Sequence, residues 1–125
     1  MSRALLDTHV LLWWLAEPEK LSKEQFEIIS SKNSQILVSV ASIWEIRIKE
    51  SLGKIEVPSD FVTLIKEEGF EFIPINPQHA DYIKELPPIH KDPFDRIIIA
   101  QGKLEGLKVL SSDKVFRGYD VEVVG

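Results

Sequence analysis

Arg3-Ala4-Leu5-Leu6-Asp7-Thr8-His9-Val10-Leu11-Leu12-Trp13-Trp14-Leu15-Ala16 opens the chain with a short apolar run closed by an acid, then a longer apolar stretch. Residues 3–6 have the length of a buried strand. Residues 8–16 read as a helix, with Thr8 as a candidate N-cap and Pro18 as the stop. Further along, Ser22 and Gln25 stand in capping-box positions before the apolar Phe26, Ile28 and Ile29, which predicts a second helix. Residues 36–40 are mainly β-branched and read as a second strand. A helix starting at Ser39 or Ser42 should end at Gly53, a usual C-terminal glycine. Pro58 begins another helix reaching Glu68, and residues 70–75 form a third strand. Residues 77–86 read as helical up to Pro87-Pro88. Asp92-Pro93 opens a strong helix, with Phe94, Ile97, Ile98 and Leu104 at helical spacing. Residues 108–110 and 121–124 complete five short strands. Apolar strands separated by helices indicate a mainly parallel sheet covered on both faces.

A chain of 125 residues gives room for a single domain, 1–125, and no second core. The absence of cysteine excludes disulfides, thiolate zinc sites and a cysteine nucleophile together. The apolar run 10–16 is too short to span a bilayer and follows no basic segment, so the expectation is a cytoplasmic protein without membrane attachment. A net charge of −5 argues, taken alone, against a nucleic-acid partner, unless the acids cluster where cations neutralise them.

The positions of four acids fit that exception. Asp7 ends the first strand, Asp113 follows the fourth past Ser111-Ser112, Glu45 lies in the first turns after the second strand, and Asp95 lies in the first turn of the helix before the fourth. In parallel sheets ligands bind beyond the carboxyl ends of the strands, where strand order reverses, and one rim of the sheet can collect all four. Two carboxylates about 5 Å apart repel by roughly 3 kcal/mol at an effective dielectric near 20. Four in one pocket call for a cation, and oxygen ligands select Mg2+ or Mn2+ over zinc. A carboxylate-held cation suits phosphodiester hydrolysis, with water as the attacker because no other nucleophile is evident.

Each acid also has a structural explanation. Asp7 can cap the following helix, Glu45 can pair with Lys49 or complete a capping box with Ser42, Asp95 can favour the helix dipole, and Asp113 can close a turn.

Three segments carry a resemblance to a known family. Leu5-Leu6-Asp7-Thr8-His9-Val10-Leu11-Leu12-Trp13-Trp14 is similar to the N-terminal signature of PIN-domain ribonucleases of the VapC toxin type. Ser39-Val40-Ala41-Ser42-Ile43-Trp44-Glu45-Ile46 resembles that family's second motif. His90-Lys91-Asp92-Pro93-Phe94-Asp95-Arg96-Ile97-Ile98-Ile99-Ala100-Gln101 resembles the third, followed at family spacing by Leu110-Ser111-Ser112-Asp113. The resemblance implies a three-layer α/β/α fold with an about five-stranded sheet and Mg2+- or Mn2+-dependent endoribonuclease activity. It also implies restraint by a small antitoxin encoded alongside, and a homodimer. Carried over position by position, the catalytic and metal-binding acids fall on Asp7, Glu45, Asp95 and Asp113, with Thr8 and Ser111 as supporting hydroxyls. Asp92 reads as the helix N-cap, with a supporting part in the site as the lesser alternative. Arg96, Arg47 and Lys114 are candidate RNA contacts, although Arg96 can equally pair with an acid. Lys114 directly after Asp113 supplies no further acid, so a second cation is expected to bind weakly or only with RNA.

The helix over residues 10–16 is apolar all round. One of its two tryptophans should lie in the core, and the other face should meet another subunit or an antitoxin helix. His9, His79 and His90 have no ligand spacing and are assigned no catalytic part, and Trp44 reads as core. The competing functions are a non-catalytic binding module of the same fold and a Mg2+-dependent phosphoryl-transfer protein. The module would suit a chain lacking one of the four acids, and none is missing. A phosphatase would want Asp-x-Asp where the sequence has Asp7-Thr8-His9, and a receiver would want paired acids at the first strand.

Overall fold

In the computed structural model, which describes residues 2–125, five strands form one all-parallel sheet in the order β3-β2-β1-β4-β5. The strands are β1 (Arg3–Leu6), β2 (Gln35–Ser39), β3 (Glu71–Ile73), β4 (Lys108–Leu110) and β5 (Val123–Val124). The helices are α1 (Thr8–Ala16), α2 (Lys23–Ser30), α3 (Val40–Ser51), α4 (Phe61–Glu67), α5 (Pro77–Tyr82) and α6 (Pro93–Glu105).

Side-chain alternation along the strands sorts the core into two halves. Ala4, Leu6, Ile36, Val38, Leu110 and Val124 face one way and pack against Val10 and Leu11 of α1, Ile29 of α2, Ile46 of α3 and Phe61 and Ile65 of α4. Leu5, Leu37, Ile73 and Val109 face the other way, against Ile98, Ile99 and Ala100 of α6 and against Leu86, Phe116 and Tyr119. Both faces of the sheet are thereby covered, giving the expected three-layer α/β/α arrangement. Among the described residues, no helix is long and apolar enough to cross a membrane.

Several boundaries differ from the sequence reading, for local reasons. Asp7 rather than Thr8 caps α1, accepting the Val10 N–H at 2.8 Å. Ser39 ends β2 and caps α3, so Val40 belongs to the helix. Residues 58–60 make a turn closed by the Phe61 N–H donating to the Pro58 carbonyl, and α4 starts only at Phe61. Pro74 cuts β3 short, and α5 tightens into a 3-10 turn at Ile83–Glu85 before Pro87. The helical stretch expected over 77–86 is thus two pieces. Its start is set by a capping box between Asn76 and His79 that the sequence reading missed. A 3-10 segment, Lys114–Gly118, follows Asp113 and was also not foreseen. The fifth strand is only Val123–Val124, paired in register with Val109 and Leu110.

Candidate functional site

The chain leaves β1 for α1 on one face of the sheet, and leaves β4 for Phe116 on the other. Strand order therefore reverses between these two neighbours, and a crevice opens beyond their carboxyl ends. Asp7 and Asp113 stand on its two sides, lining a cleft of about 260 Å3 together with His9, Trp13 and Ser112. A backbone bond joins the two edges, the Asp7 N–H donating to the Leu110 carbonyl at 3.0 Å. Ser111, buried between them, accepts the Asp113 N–H on its hydroxyl at 3.1 Å.

Asp95 enters from the first turn of α6. Capping of this helix by Asp92, which accepts the Asp95 N–H at 2.9 Å, fixes its first turn and hence where the Asp95 side chain starts. The chain also brings His90 onto Asp95, Nε2 lying 2.7 Å from Oδ2. Ligand atoms of His90, Asp95 and Asp113 all lie within 4.8 Å of one another. His90, to which the sequence assigned no catalytic part, thus has a hydrogen-bonding place beside a candidate acid.

Two of the acids take the structural parts that the sequence allowed. Asp7 Oδ1 caps α1, and Asp113 Oδ1 accepts the Val115 N–H at 3.0 Å. A carboxylate has about four lone-pair positions, so a cap held by one oxygen orients the group without exhausting it. Helix starts add partial positive charge on the same side as the acids.

The electrostatics are unfavourable for the acids alone. Burial pushes the Asp7 carboxyl above the usual carboxylate range, helped by the Asp113 charge, while Ser111, the Val10 N–H and His9 pull it down. Burial likewise pushes Asp95 up to about 6, with the charges of Asp92 and Asp7 adding to it and His90 opposing. A cation among Asp7, Asp95 and Asp113 would relieve both. The donor set, carboxylate oxygens with one imidazole beside them, fits a hard divalent ion.

Glu45 lies on the flank of this cup. It is buried on α3, linked to the β1 end through the Thr8 hydroxyl, which donates to Oε1 at 2.7 Å and lies 3.0 Å from Ser42 Oγ. Its other oxygen takes the Lys49 ammonium at 2.8 Å, so the i,i+4 pairing is formed. Ser42 is not the cap of α3, and the alternative capping box with Glu45 is absent.

The basic candidates divide. Arg96 turns inward: NH1 donates to the carbonyls of Pro87 and His90, each at 3.0 Å, and NH2 to those of Ile83 at 3.1 Å and Leu86 at 3.3 Å. The guanidinium thus ties a loop to α6 through carbonyls, where the sequence had offered an acid or a phosphate as its partner. Arg47 pairs with Glu50 at 2.7 Å and sits 4.4 Å over the Phe61 ring. Lys114 is exposed at the lip beside Asp113, and Lys91 is exposed beside His90. Trp44 is not core: it is 57% exposed, with one edge against Phe94. On α1, Trp14 packs between Phe26 and Phe70, as expected of one tryptophan, while Trp13 meets the His9 ring at a tilt with centroids 6.1 Å apart.

An all-parallel five-stranded sheet with acids gathered at its switch point is the architecture of a PIN domain, and the chain belongs to the PIN domain family, matching it over residues 4–122. It is 27% identical over 122 residues to Ribonuclease VapC22 of Mycobacterium tuberculosis, an alignment covering 95% of this chain and 93% of that protein. The fold is similar to a chain in the crystal structure of VapBC2 from Rickettsia felis bound to a promoter DNA fragment. That match has a TM-score of 0.74 at 14% identity and covers 98% of this chain and 97% of the other. It is also similar to a chain of a toxin–antitoxin complex from Klebsiella pneumoniae, with a TM-score of 0.67 at 22% identity, covering 98% and 96%.

Proposed function

We propose that this PIN-domain protein is a Mg2+- or Mn2+-dependent endoribonuclease and the toxin of a VapBC-type toxin–antitoxin pair. What carries the reading is the cleft at the switch point lined by Asp7 and Asp113, with ligand atoms of Asp95, Asp113 and His90 within 4.8 Å of one another and burial holding Asp7 and Asp95 above their ordinary ionisation range. The ribonuclease named among its relatives supports the choice of RNA. Asp7, Asp95 and Asp113 hold the cation. Glu45, fixed by Thr8 and Lys49, completes the negative rim. When bound, the cation supplies positive charge to the phosphate and acidity to a water molecule. Thr8 and Ser111 orient carboxylates, and Lys114 and Lys91 lie where a phosphate backbone crosses the lip. Water attacks phosphorus, and one P–O bond of the RNA breaks.

Incubating the protein with RNA in Mg2+, in Mn2+ and in EDTA tests the reading. Cleavage is expected with either ion and none with chelator; chelator-resistant cleavage contradicts it. Binding through a few lysines predicts a weak affinity that falls further as salt rises.

A homodimer belongs to the same proposal. Val40, Trp44 and Ile48 of α3 and its C-cap Leu52 recur at four-residue spacing and are 39%, 57%, 37% and 64% exposed. Such a stripe is costly in water and suits a self-complementary contact. The double substitution Ile48→Glu with Leu52→Glu is expected to leave a folded monomer by light scattering, and a persisting dimer would place the interface elsewhere. The antitoxin would seat in the groove of about 620 Å3 between α1 and α4, where the partly exposed Leu12, Trp13, Leu15, Val57 and Leu64 offer apolar contacts.

A further inference from the structure

His90 lies within the site yet is neither an acid nor a helix cap, and its placement is specified with unusual care. Its N–H donates to Tyr119 Oη at 2.8 Å, and its carbonyl accepts from Arg96 NH1 at 3.0 Å. Tyr119 Oη donates in turn to the Pro87 carbonyl at 2.9 Å and lies 3.3 Å from Arg96 NH1. The ring edge meets Phe116, with centroids 6.1 Å apart. Arg96 adjoins Asp95 on α6. The loop carrying His90 is therefore referenced to the same helix that carries the carboxylate, and relative drift of the two is suppressed.

We infer that His90 is a positioning residue for Asp95: its Nε2–H holds Oδ2, so that the carboxylate meets the cation in one orientation, and Tyr119 and Arg96 clamp the loop that keeps the imidazole there. The separation of 2.7 Å is that of a charge-assisted hydrogen bond. An ionised carboxylate only accepts, so the nitrogen facing it carries the proton. A nitrogen in that state has no free lone pair for an ion. Hydrogen bonds to ligating groups of this kind change metal affinity by about 10–100-fold when removed. The inference rests on the metal-dependent reading of the site, and Mn2+ binding without RNA tests the two separately.

Calorimetric titration with Mn2+ is carried out on wild type, His90→Ala, His90→Gln, Tyr119→Phe and, as a control, Asp95→Asn. His90→Ala is expected to weaken Mn2+ by about 10–100-fold, and His90→Gln, which keeps an N–H donor, to recover most of that. Tyr119→Phe should weaken Mn2+ in the same direction by less, because the loop is loosened and the imidazole remains. In RNA cleavage the deficit should fall on kcat at saturating RNA, with KM unchanged. Pulsed electron paramagnetic resonance of bound Mn2+ should show no imidazole nitrogen coupling. Unchanged Mn2+ affinity in His90→Ala, with Asp95→Asn impaired, overturns the inference and spares the site. Nitrogen coupling that His90→Ala abolishes overturns it in favour of direct ligation. Unchanged affinity in Asp95→Asn overturns both. If His90→Ala does not fold by circular dichroism, failure of His90→Gln to bind like wild type, or wild-type binding by Tyr119→Phe, overturns the inference.

Discussion

Asp95→Asn is expected to lower RNA cleavage by about a thousandfold while making the metal-free protein more stable at neutral pH. The first effect follows from the proposed part of Asp95 as a charged cation ligand. A loss of roughly 4 kcal/mol from transition-state charge stabilisation corresponds to about three powers of ten in rate. The second follows from the burial of the carboxylate. Asp95 gains its proton near pH 6 in the fold, against an ordinary value of 3.8. Between those two pH values the folded state binds more protons than the unfolded one, so stability falls as pH rises from about 4 to about 6 and stays lowered above. Asparagine carries no such penalty. In EDTA the variant should therefore melt above wild type at pH 7 and close to it at pH 4.5. Saturating Mn2+ should reverse the order, since a ligand at 100 times its dissociation constant stabilises wild type by about 2.7 kcal/mol. Differential scanning calorimetry at both pH values, with and without Mn2+, reads all of these. A variant as active as wild type would mean that the site is elsewhere.

Arg96→Ala is expected to destabilise the fold by about 3 kcal/mol, because several carbonyls of the 83–90 loop lose a charged donor together and such bonds contribute about 1.5–3 kcal/mol each without adding fully. For a chain of this length that lowers the melting temperature by roughly 10 °C. Cleavage should fall as well, through the freed His90, but the slope of RNA affinity against salt should not change. A phosphate contact predicts the reverse: little change in melting and a salt slope reduced by about one. Thermal melts together with RNA binding over a salt series distinguish the two.

The sheet and the three central acids were legible because they rest on local rules. Buried runs such as residues 3–6 and 36–40 state where strands lie, and Asp7, Asp95 and Asp113 fall where a strand ends or a helix begins. The parallel-sheet rule then places such positions on one rim, without knowledge of any long-range contact. His90 follows no local rule. It sits between Pro87-Pro88 and Pro93 in a loop whose path is set by Arg96 and Tyr119, the latter 29 residues away. The carbonyl partners of Arg96 were hidden for the same reason, since they lie up to 13 residues back and across a turn. Trp44 was read as core on its apolarity alone, whereas α3 carries one apolar face inward at Ala41 and Ile46 and a second outward at Val40, Trp44 and Ile48. Hydrophobicity reports a need for burial but not which partner meets it.

Crystals of the protein soaked in Mn2+, with data collected at a wavelength where manganese scatters anomalously, measure the location of the cation directly. The account predicts an anomalous peak within coordination distance of Asp7, Asp95 and Asp113 that is lost in Asp95→Asn crystals. Full occupancy of Mn2+ elsewhere on the molecule, with those carboxylates contacting only protein and water, would contradict it.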